Sequence, residues 1–256
     1  GTVVIAIGQV NDVRLYRDLL ASGIHDYLLK PLSAGQLRDA LNQAHAVFTT
    51  PRNIDGEVVK HHISTAIIGT RGGVGASTLA TSLAWLFSSD HKSPTALLDL
   101  DVHFGDIEYA FRLQPFHRLD SAVIALRERP QEGVEHFLTL HPAGLAALCA
   151  PSDPVSADYL SADEAFTVVD ALIELERPVI LDTAGGISDF TLGALDRATE
   201  VVMVCGTDVP SVQAVKKLLE TMGRLEMDTT HAHLVVNRST ARCGLSVADV
   251  ELATGR

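Results

Sequence analysis

A glycine-rich stretch early in the chain has the composition of a loop that binds phosphate. It reads Gly69-Thr70-Arg71-Gly72-Gly73-Val74-Gly75-Ala76-Ser77-Thr78. Residues 65–68 before it are mostly apolar, as a central parallel strand requires, and apolar residues recur at helical spacing through residues 77–87. A glycine turn between a strand and a helix directs backbone N–H groups to one point, where an anion can bind. The sequence therefore predicts a phosphate site, with a purely structural glycine turn as the alternative.

Two side-chain positions decide how strongly this loop can hold a phosphate. Ser77 supplies a hydroxyl of the kind that ligates magnesium beside the β- and γ-phosphates of a nucleotide. The preceding position, where such loops carry lysine, is Ala76. The loop therefore contributes dipoles and one hydroxyl, but no point charge at that position.

Polar residues also follow three later apolar runs. Asp99 and Asp101 close the first run, Asp182 closes the second, and Asn237 closes the third. Carboxylates at the end of a buried strand are costly unless they are solvated or paired with a cation, so these acids predict a site. The alternative is a solvated loop acid for Asp101 and a turn former for Asn237, although a side-chain amide offers the donor and the acceptor that adenine requires.

The order of these segments resembles the ParA/MinD group of ATPases, whose deviant phosphate loop follows the pattern K-G-G-x-G-K-[ST]-[ST]. Both lysines are replaced, the first by Arg71 and the second by Ala76. The resemblance implies that ATP or ADP is bound by Gly72, Gly73, Val74, Gly75, Ala76, Ser77, Thr78, Asn237 and Arg238. It also implies that Asp101 orients the attacking water, that Ser77, Asp99 and Asp182 hold Mg²⁺, and that Arg71 reaches across a homodimer to the partner's nucleotide.

Two further features resemble one branch of that group, the TadZ/CpaE proteins of Flp (Tad) pilus assembly. The phrase Phe104-Gly105-Asp106 follows Asp101, and residues 23–32, which include Lys30, resemble the carboxyl-terminal half of a response-regulator receiver. The alternative for Lys30 is an ordinary surface lysine. We therefore expect half of a receiver-like domain in residues 1–48, a linker in residues 49–62, and a nucleotide-binding domain in residues 63–256 that lacks the family's carboxyl-terminal end.

Composition limits the other possibilities. The 256 residues carry a formal net charge of −12, which disfavours a broad nucleic-acid footprint or an anionic membrane surface. No apolar run approaches the roughly 20 residues needed to span a bilayer. Cys149, Cys205 and Cys243 are too few and too far apart for a disulfide framework or a zinc site, so a cytoplasmic protein is expected.

These observations predict an α/β fold with a doubly wound, mostly parallel sheet, preceded by a partial flavodoxin-like receiver. The resemblance to the TadZ/CpaE proteins implies an ATP-dependent, dimeric localisation factor of the pilus secretion machinery, recruited to a cell pole or the inner membrane face. Loss of a preorganised charge at Ala76 raises the barrier to phosphoryl transfer by roughly 3–4 kcal/mol, so we expect a slow ATPase at most. The alternatives are an active ParA/MinD-type ATPase and a nucleotide-free scaffold.

Overall fold

A computed structural model describes residues 5–8, 26–30, 63–129, 131–175, 177–237 and 244–256. Contacts group the chain into two units, Gly1–His61 and His62–Arg256. In the first unit, β1 (Ile5–Gly8) pairs in parallel with β2 (Asp26–Leu29), and the N–H of Lys30 extends the pairing to the carbonyl of Gly8 at 2.9 Å. The helices expected in residues 1–48 and the linker expected in residues 49–62 lie outside the described residues.

The second unit contains a seven-stranded sheet among its described residues. Its strands are β3 (Ser64–Gly69), β4 (Thr95–Asp99), β5 (Thr139–Leu140), β6 (Leu145–Leu148), β7 (Val179–Thr183), β8 (Glu200–Cys205) and β9 (Ala232–Val236). The spatial order is β5-β6-β4-β7-β3-β8-β9, and each pair is parallel except β5 with β6. The mostly parallel sheet predicted from the sequence is therefore confirmed.

Strand composition explains why the sheet is buried on both faces. Every residue of β4 and of β7 is buried, and apolar side chains dominate both strands. One core cluster includes Ile68, Leu98 and Leu181, whereas a second cluster includes Ile67, Leu97 and Ile180. Because neighbouring residues of a strand point to opposite faces, the two clusters are the two layers of a doubly wound core.

Helices connect these strands. They are α1 (Ala76–Trp85), α2 (Ile107–Ala110), α3 (Leu119–Glu128), α4 (Pro154–Ala157), α5 (Ala162–Ile173), α6 (Asp189–Arg197), α7 (Val209–Arg224) and α8 (Val247–Thr254). A π-helical turn, Leu86–Asp90, continues α1, and a 3₁₀ turn spans Val134–Phe137. The Ser161 hydroxyl and the Glu164 carboxylate cap the first turn of α5 reciprocally, as that sequence pattern predicts. None of the helices described is long and apolar enough to cross a membrane.

The topology places polar strand ends together. β3 lies between β7 and β8, and β4 lies on the other side of β7, so consecutive strands diverge from the centre of the sheet. Open α/β sheets bind ligands beyond the carboxyl ends of strands at such a point. The glycine loop follows β3, and the acidic residues follow β4 and β7, so all of them lie at this edge.

Candidate functional site

The glycine loop between β3 and α1 depends on glycine at two positions. Gly73 has φ +77° and Gly75 has φ +97°, both in the left-handed region that glycine adopts without strain. A Cβ at Gly75 would also lie 2.6 Å from Nδ2 of Asn237. Gly75 is the N-cap of α1 and supplies no side chain, so no side chain caps the helix. The first N–H groups of α1 therefore form a site with partial positive charge that favours an anion.

Ala76 is the first residue of α1 and packs partly against the core. The structure thus places a methyl group at the position where the resemblance implies a lysine. Arg71, at the other end of the loop, is engaged within the same chain, because its Nη1 donates to Oδ1 of Asp208 at 3.0 Å. Both side chains of this pair are about half exposed, at 53% and 50%. Asp208 also caps α7 by accepting from the N–H and the hydroxyl of Ser211.

A cavity of about 400 Å³ opens beside the loop. Its lining comes from the loop, the start of α7 and two later segments, namely Arg71, Gly72, Gly73, Val74, Gly206, Thr207, Asp208, Ser211, Asn237 and Gly244. The side chain of Asn237 donates from Nδ2 to the carbonyl of Val74 at 2.7 Å, which ties the end of β9 to the loop. The cavity has the size of a small-molecule site. The structure therefore brings Asn237 next to the glycine loop.

Two buried carboxylates lie on neighbouring strands near the loop. Asp99 and Asp182 are register partners across β4 and β7, and only 1% and 2% of their surfaces are exposed. Burial raises the pKa of Asp182 to about 7; the Ser77 hydroxyl partly offsets this, and the charges of Asp106 and Asp101 raise the pKa further. Burial, and then the charge of Asp182, raise the pKa of Asp99 well above its ordinary value. The pair therefore resists carrying two negative charges without a cation.

The segment after β4 wraps around Asp99. The N–H groups of Asp101 and Ile107 donate to the Asp99 carboxylate at 3.2 and 3.3 Å. Asp101 in turn accepts from the N–H of Phe104 at 3.1 Å. A Cβ at Gly105 would lie 2.3 Å from Oδ2 of Asp99, so this glycine allows the backbone to approach the carboxylate closely. The segment therefore fixes Asp99 and holds Asp101, which is half-buried, in a short turn.

The donor set of this cluster fits magnesium bound together with a phosphate. Oδ1 of Asp182 is buried and has no hydrogen-bond partner, as expected of an atom that awaits a ligand. The described residues contain no group of three or more His, Cys, Asp or Glu side chains suited to hold a metal alone. Mg²⁺ commonly uses one or two carboxylates, waters and substrate phosphates, so Asp182, Asp99 and the Ser77 hydroxyl match its preference. We therefore treat these three residues as the candidate magnesium ligands.

The structure also shows two interactions that the sequence interpretation missed. The charge of Asp106 raises the pKa of Asp182, and Asp208 accepts a hydrogen bond from Arg71 within the chain. Neither residue belongs to a local pattern that identifies its partner, although Asp106 lies only five residues after Asp101. Arg238, which was expected beside the adenine, lies outside the described residues.

Comparison with known proteins gives the same architecture. No protein-family model matches the chain. Over 162 residues the chain is 25% identical to the antiactivator FleN of Pseudomonas aeruginosa, covering 62% of this chain and 56% of FleN. Over 180 residues it is 26% identical to an uncharacterised ATP-binding protein of Methanocaldococcus jannaschii, covering 69% of this chain and 64% of that protein. The chain thus spans less than two thirds of the length of either relative.

Solved structures extend the comparison to about three quarters of the chain. A ParA family ATPase from Chlorobium tepidum superposes with a TM-score of 0.69 at 16% identity, covering 76% of this chain and 81% of that one. MinD of Pyrococcus horikoshii in complex with Mg-ADP gives a TM-score of 0.59 at 10% identity, covering 75% and 76%. The unit that contains the seven-stranded sheet therefore has the α/β fold of ParA- and MinD-type P-loop ATPases.

Proposed function

We propose that the chain binds ATP with Mg²⁺ and acts as a positioning factor of the ParA/MinD type that hydrolyses the nucleotide slowly or not at all. The observation that carries this proposal is the arrangement behind the loop. The Ser77 hydroxyl, at the start of α1, lies against buried Asp182, whose Oδ1 has no partner. A divalent cation beside a phosphate would satisfy that oxygen and neutralise the carboxylate.

The nucleotide is expected to lie across the loop. The amides of residues 72–78 and the N-terminus of α1 bind the phosphates, since both present N–H groups toward an anion. The cavity between the loop and α7 takes the nucleoside, with Asn237 beside it. Bound magnesium would supply the charge that the loop lacks. In this arrangement the carboxylates and magnesium would lie on one side of the loop, and the cavity with the nucleoside would lie on the other.

Slow hydrolysis follows from the side chains around the phosphates. Ala76 supplies no charge, and Arg71 is paired with Asp208 within the chain. Loss of one preorganised stabiliser costs about 3–4 kcal/mol of barrier, which corresponds to two or three orders of magnitude in rate. Asp101, held by the turn after β4, remains available to orient a water. Retention of Asp101 and Asp182 favours the second candidate function, an active ATPase of the same type.

The finer proposal is a TadZ/CpaE-like role in Flp (Tad) pilus assembly, as a homodimer recruited to a cell pole or the inner membrane face. Its support is the resemblance of residues 71–78 and 99–106, together with the receiver-like residues 23–32 and the two parallel strands β1 and β2. The relatives agree with positioning in general, because MinD is a cell-division protein and the Chlorobium protein is a ParA family ATPase.

Calorimetric titration with ATP, with and without magnesium, followed by a turnover assay, tests the proposal. We expect magnesium-dependent binding and turnover far below that of an ordinary ATPase. Rapid turnover would support the active ATPase instead, and the absence of binding at saturating magnesium nucleotide would support a nucleotide-free scaffold. Analytical ultracentrifugation with and without ATP tests the homodimer separately.

A charge-restoring variant makes the test sharper. Ala76→Lys is expected to raise turnover by at least about tenfold, because the new ammonium reaches the phosphates from the first residue of α1. Thr167→Lys introduces the same charge at an exposed position on α5 and serves as the matched control. No gain in Ala76→Lys, with binding intact, would contradict the role assigned to Asp101.

A further inference from the structure

A second concave surface lies at the far end of α1, away from the glycine loop. This groove has a volume of about 560 Å³, and its lining includes Trp85, Leu86, Phe111, Arg112 and His141. Trp85 and Leu86 are 42% and 44% exposed, although both are large apolar side chains. Half-exposed apolar side chains that line a recess, rather than a flat surface, are typical of a binding groove.

Aromatic contacts give the groove a preformed wall. The rings of Trp85 and Phe111 stack with their centroids 6.3 Å apart and an interplanar angle of 20°. His141 meets Trp85 edge-on at 5.5 Å and Phe111 at 5.8 Å. The Nδ1 of His141 accepts from the N–H of Ala143 at 3.1 Å, so Nε2 is left as a hydrogen-bond donor. The wall is therefore ordered by its own contacts, with a donor within it.

Arg112 combines a strained backbone conformation with an exposed, positively charged side chain. Its φ is +51°, in the left-handed region that costs a residue with a Cβ about 1–2 kcal/mol. Its guanidinium makes no ion pair with any residue in the part of the chain that the structure describes. Strained residues of this kind cluster at functional sites. No acidic side chain is among the described residues that line the groove, although the chain as a whole has a net charge of −12.

We propose that this groove binds a short segment of a partner protein in which a carboxylate lies next to an aromatic or aliphatic side chain. The apolar side chain would pack against Trp85, Leu86 and Phe111, and the carboxylate would accept from Arg112 and from Nε2 of His141. Charge complementarity selects this occupant, because the groove presents a cation and a donor on an acidic protein. Trp and Arg are also the side chains that most often dominate binding energy at protein interfaces.

The same observations disfavour a membrane as the occupant. An anionic lipid surface is repelled by the net charge, and a recess closed by stacked rings does not present a protruding apolar face to a bilayer. A peptide segment, by contrast, can place one side chain in the recess and one carboxylate on its rim. The proposal does not depend on nucleotide binding, since no lining residue belongs to the glycine loop or to the acidic cluster.

Trp85 provides the readout, because it is the one tryptophan of the chain. Random short peptides without tryptophan are selected on the whole chain, and enriched peptides are titrated while the Trp85 emission is recorded. We expect enrichment of peptides that combine acidic and aromatic or aliphatic residues, with a saturable change in emission. This outcome is diagnostic because nonspecific attraction to an acidic protein enriches basic peptides instead.

Variants assign the interaction to the groove. Arg112→Gly removes the charge and also relieves the left-handed strain, so it is expected to fold and to bind the enriched peptides about tenfold more weakly. Leu86→Ser is expected to weaken binding through the apolar side. Arg224→Gln, at an exposed position on α7, also removes one positive charge, serves as the matched control and is expected to bind normally. Enrichment of basic peptides, unchanged affinity in Arg112→Gly, or an unchanged Trp85 emission would overturn the proposal.

Discussion

Replacement of Asp182 by asparagine is expected to stabilise the fold at alkaline pH in the absence of magnesium. Asp182 is buried and its Oδ1 has no hydrogen-bond partner. Burial is the main reason that its pKa rises from 3.8 to about 7. An asparagine has nearly the same shape and no charge, so the variant removes the titration and keeps the packing. It also removes the charge that contributes to the raised pKa of Asp99.

The sign and the size of the effect follow from proton linkage. Between pH 3.8 and about pH 7 the folded chain keeps a proton on Asp182 that the unfolded chain has released, so stability falls as pH rises through this interval. The full loss is about 4 kcal/mol, of which about 3 kcal/mol falls between pH 5 and pH 8. A buried amide with imperfect hydrogen bonds costs about 1–3 kcal/mol. The variant is therefore expected to exceed the wild type by roughly 1–3 kcal/mol near pH 8.

Urea denaturation of the wild type and of Asp182→Asn at about pH 5 and about pH 8, with a chelator present, measures the loss of stability with pH and the difference in stability between the two proteins. Asp196→Asn makes the same chemical change at an exposed position on α6 and is expected to keep the pH dependence of the wild type. Addition of magnesium and ATP should raise the stability of the wild type much more than that of Asp182→Asn, because binding to the folded state adds to its stability. If Asp182→Asn keeps the wild-type slope, or is the less stable protein near pH 8, the reasoning is refuted.

Three further predictions concern neighbouring residues. Gly105→Ala places a Cβ 2.3 Å from Oδ2 of Asp99, so we expect the free energy of unfolding in urea to fall by about 1–3 kcal/mol. We also expect added magnesium to stabilise the variant less than the wild type. Unchanged values would show that the segment relaxes freely. Asp208→Ser keeps the cap of α7, but it releases Arg71 and removes a negative charge from the cavity. Calorimetry should therefore show that ATP binds this variant a few-fold more tightly than the wild type, and weaker binding would contradict this. Burial raises the pKa of Cys149 to about 12, so iodoacetamide at neutral pH should label it only after unfolding, as peptide mass spectrometry can show; rapid native labelling would refute this.

Local patterns predicted the elements of this fold better than the contacts between them. The glycines at positions 73 and 75 marked a turn because few other residues adopt positive φ. The acids at positions 99 and 182 stood out because a carboxylate at the end of a buried strand is costly unless it is solvated or paired with a cation. In contrast, the short antiparallel strand β5 was missed, since its two residues carry no periodic signal. The Arg71 to Asp208 pair joins residues 137 positions apart, and no local pattern encodes such a contact.

The groove at the end of α1 was hidden for a related reason. Trp85 shares a face of α1 with the polar residues Thr81 and Ser82, so the apolar spacing of the helix does not mark it. Its contacts with Phe111 and His141 are made by segments that follow β4 and β5 in the chain. The strain at Arg112 is likewise set by the end of α2 and not by residue type. Sequence therefore identified where chemistry is possible, and tertiary contacts decided which side chains meet.

In the proposed nucleotide site, the charges around the glycine loop would give magnesium a larger share of phosphate binding than it has in a loop that carries its lysine. Asp99, Asp101, Asp106 and Asp182 cluster on one side, and among the described residues that line the cavity the one cation is Arg71, which is already paired. A nucleotide without a cation would meet this acidic group directly, with only amide dipoles to oppose the repulsion. A divalent cation held by Asp99, Asp182 and Ser77 would reverse that balance, because it would attract both the carboxylates and the phosphates. The replacement by Ala76 and the buried acid pair therefore act together, and they favour a protein that responds to magnesium nucleotide by binding rather than by rapid turnover.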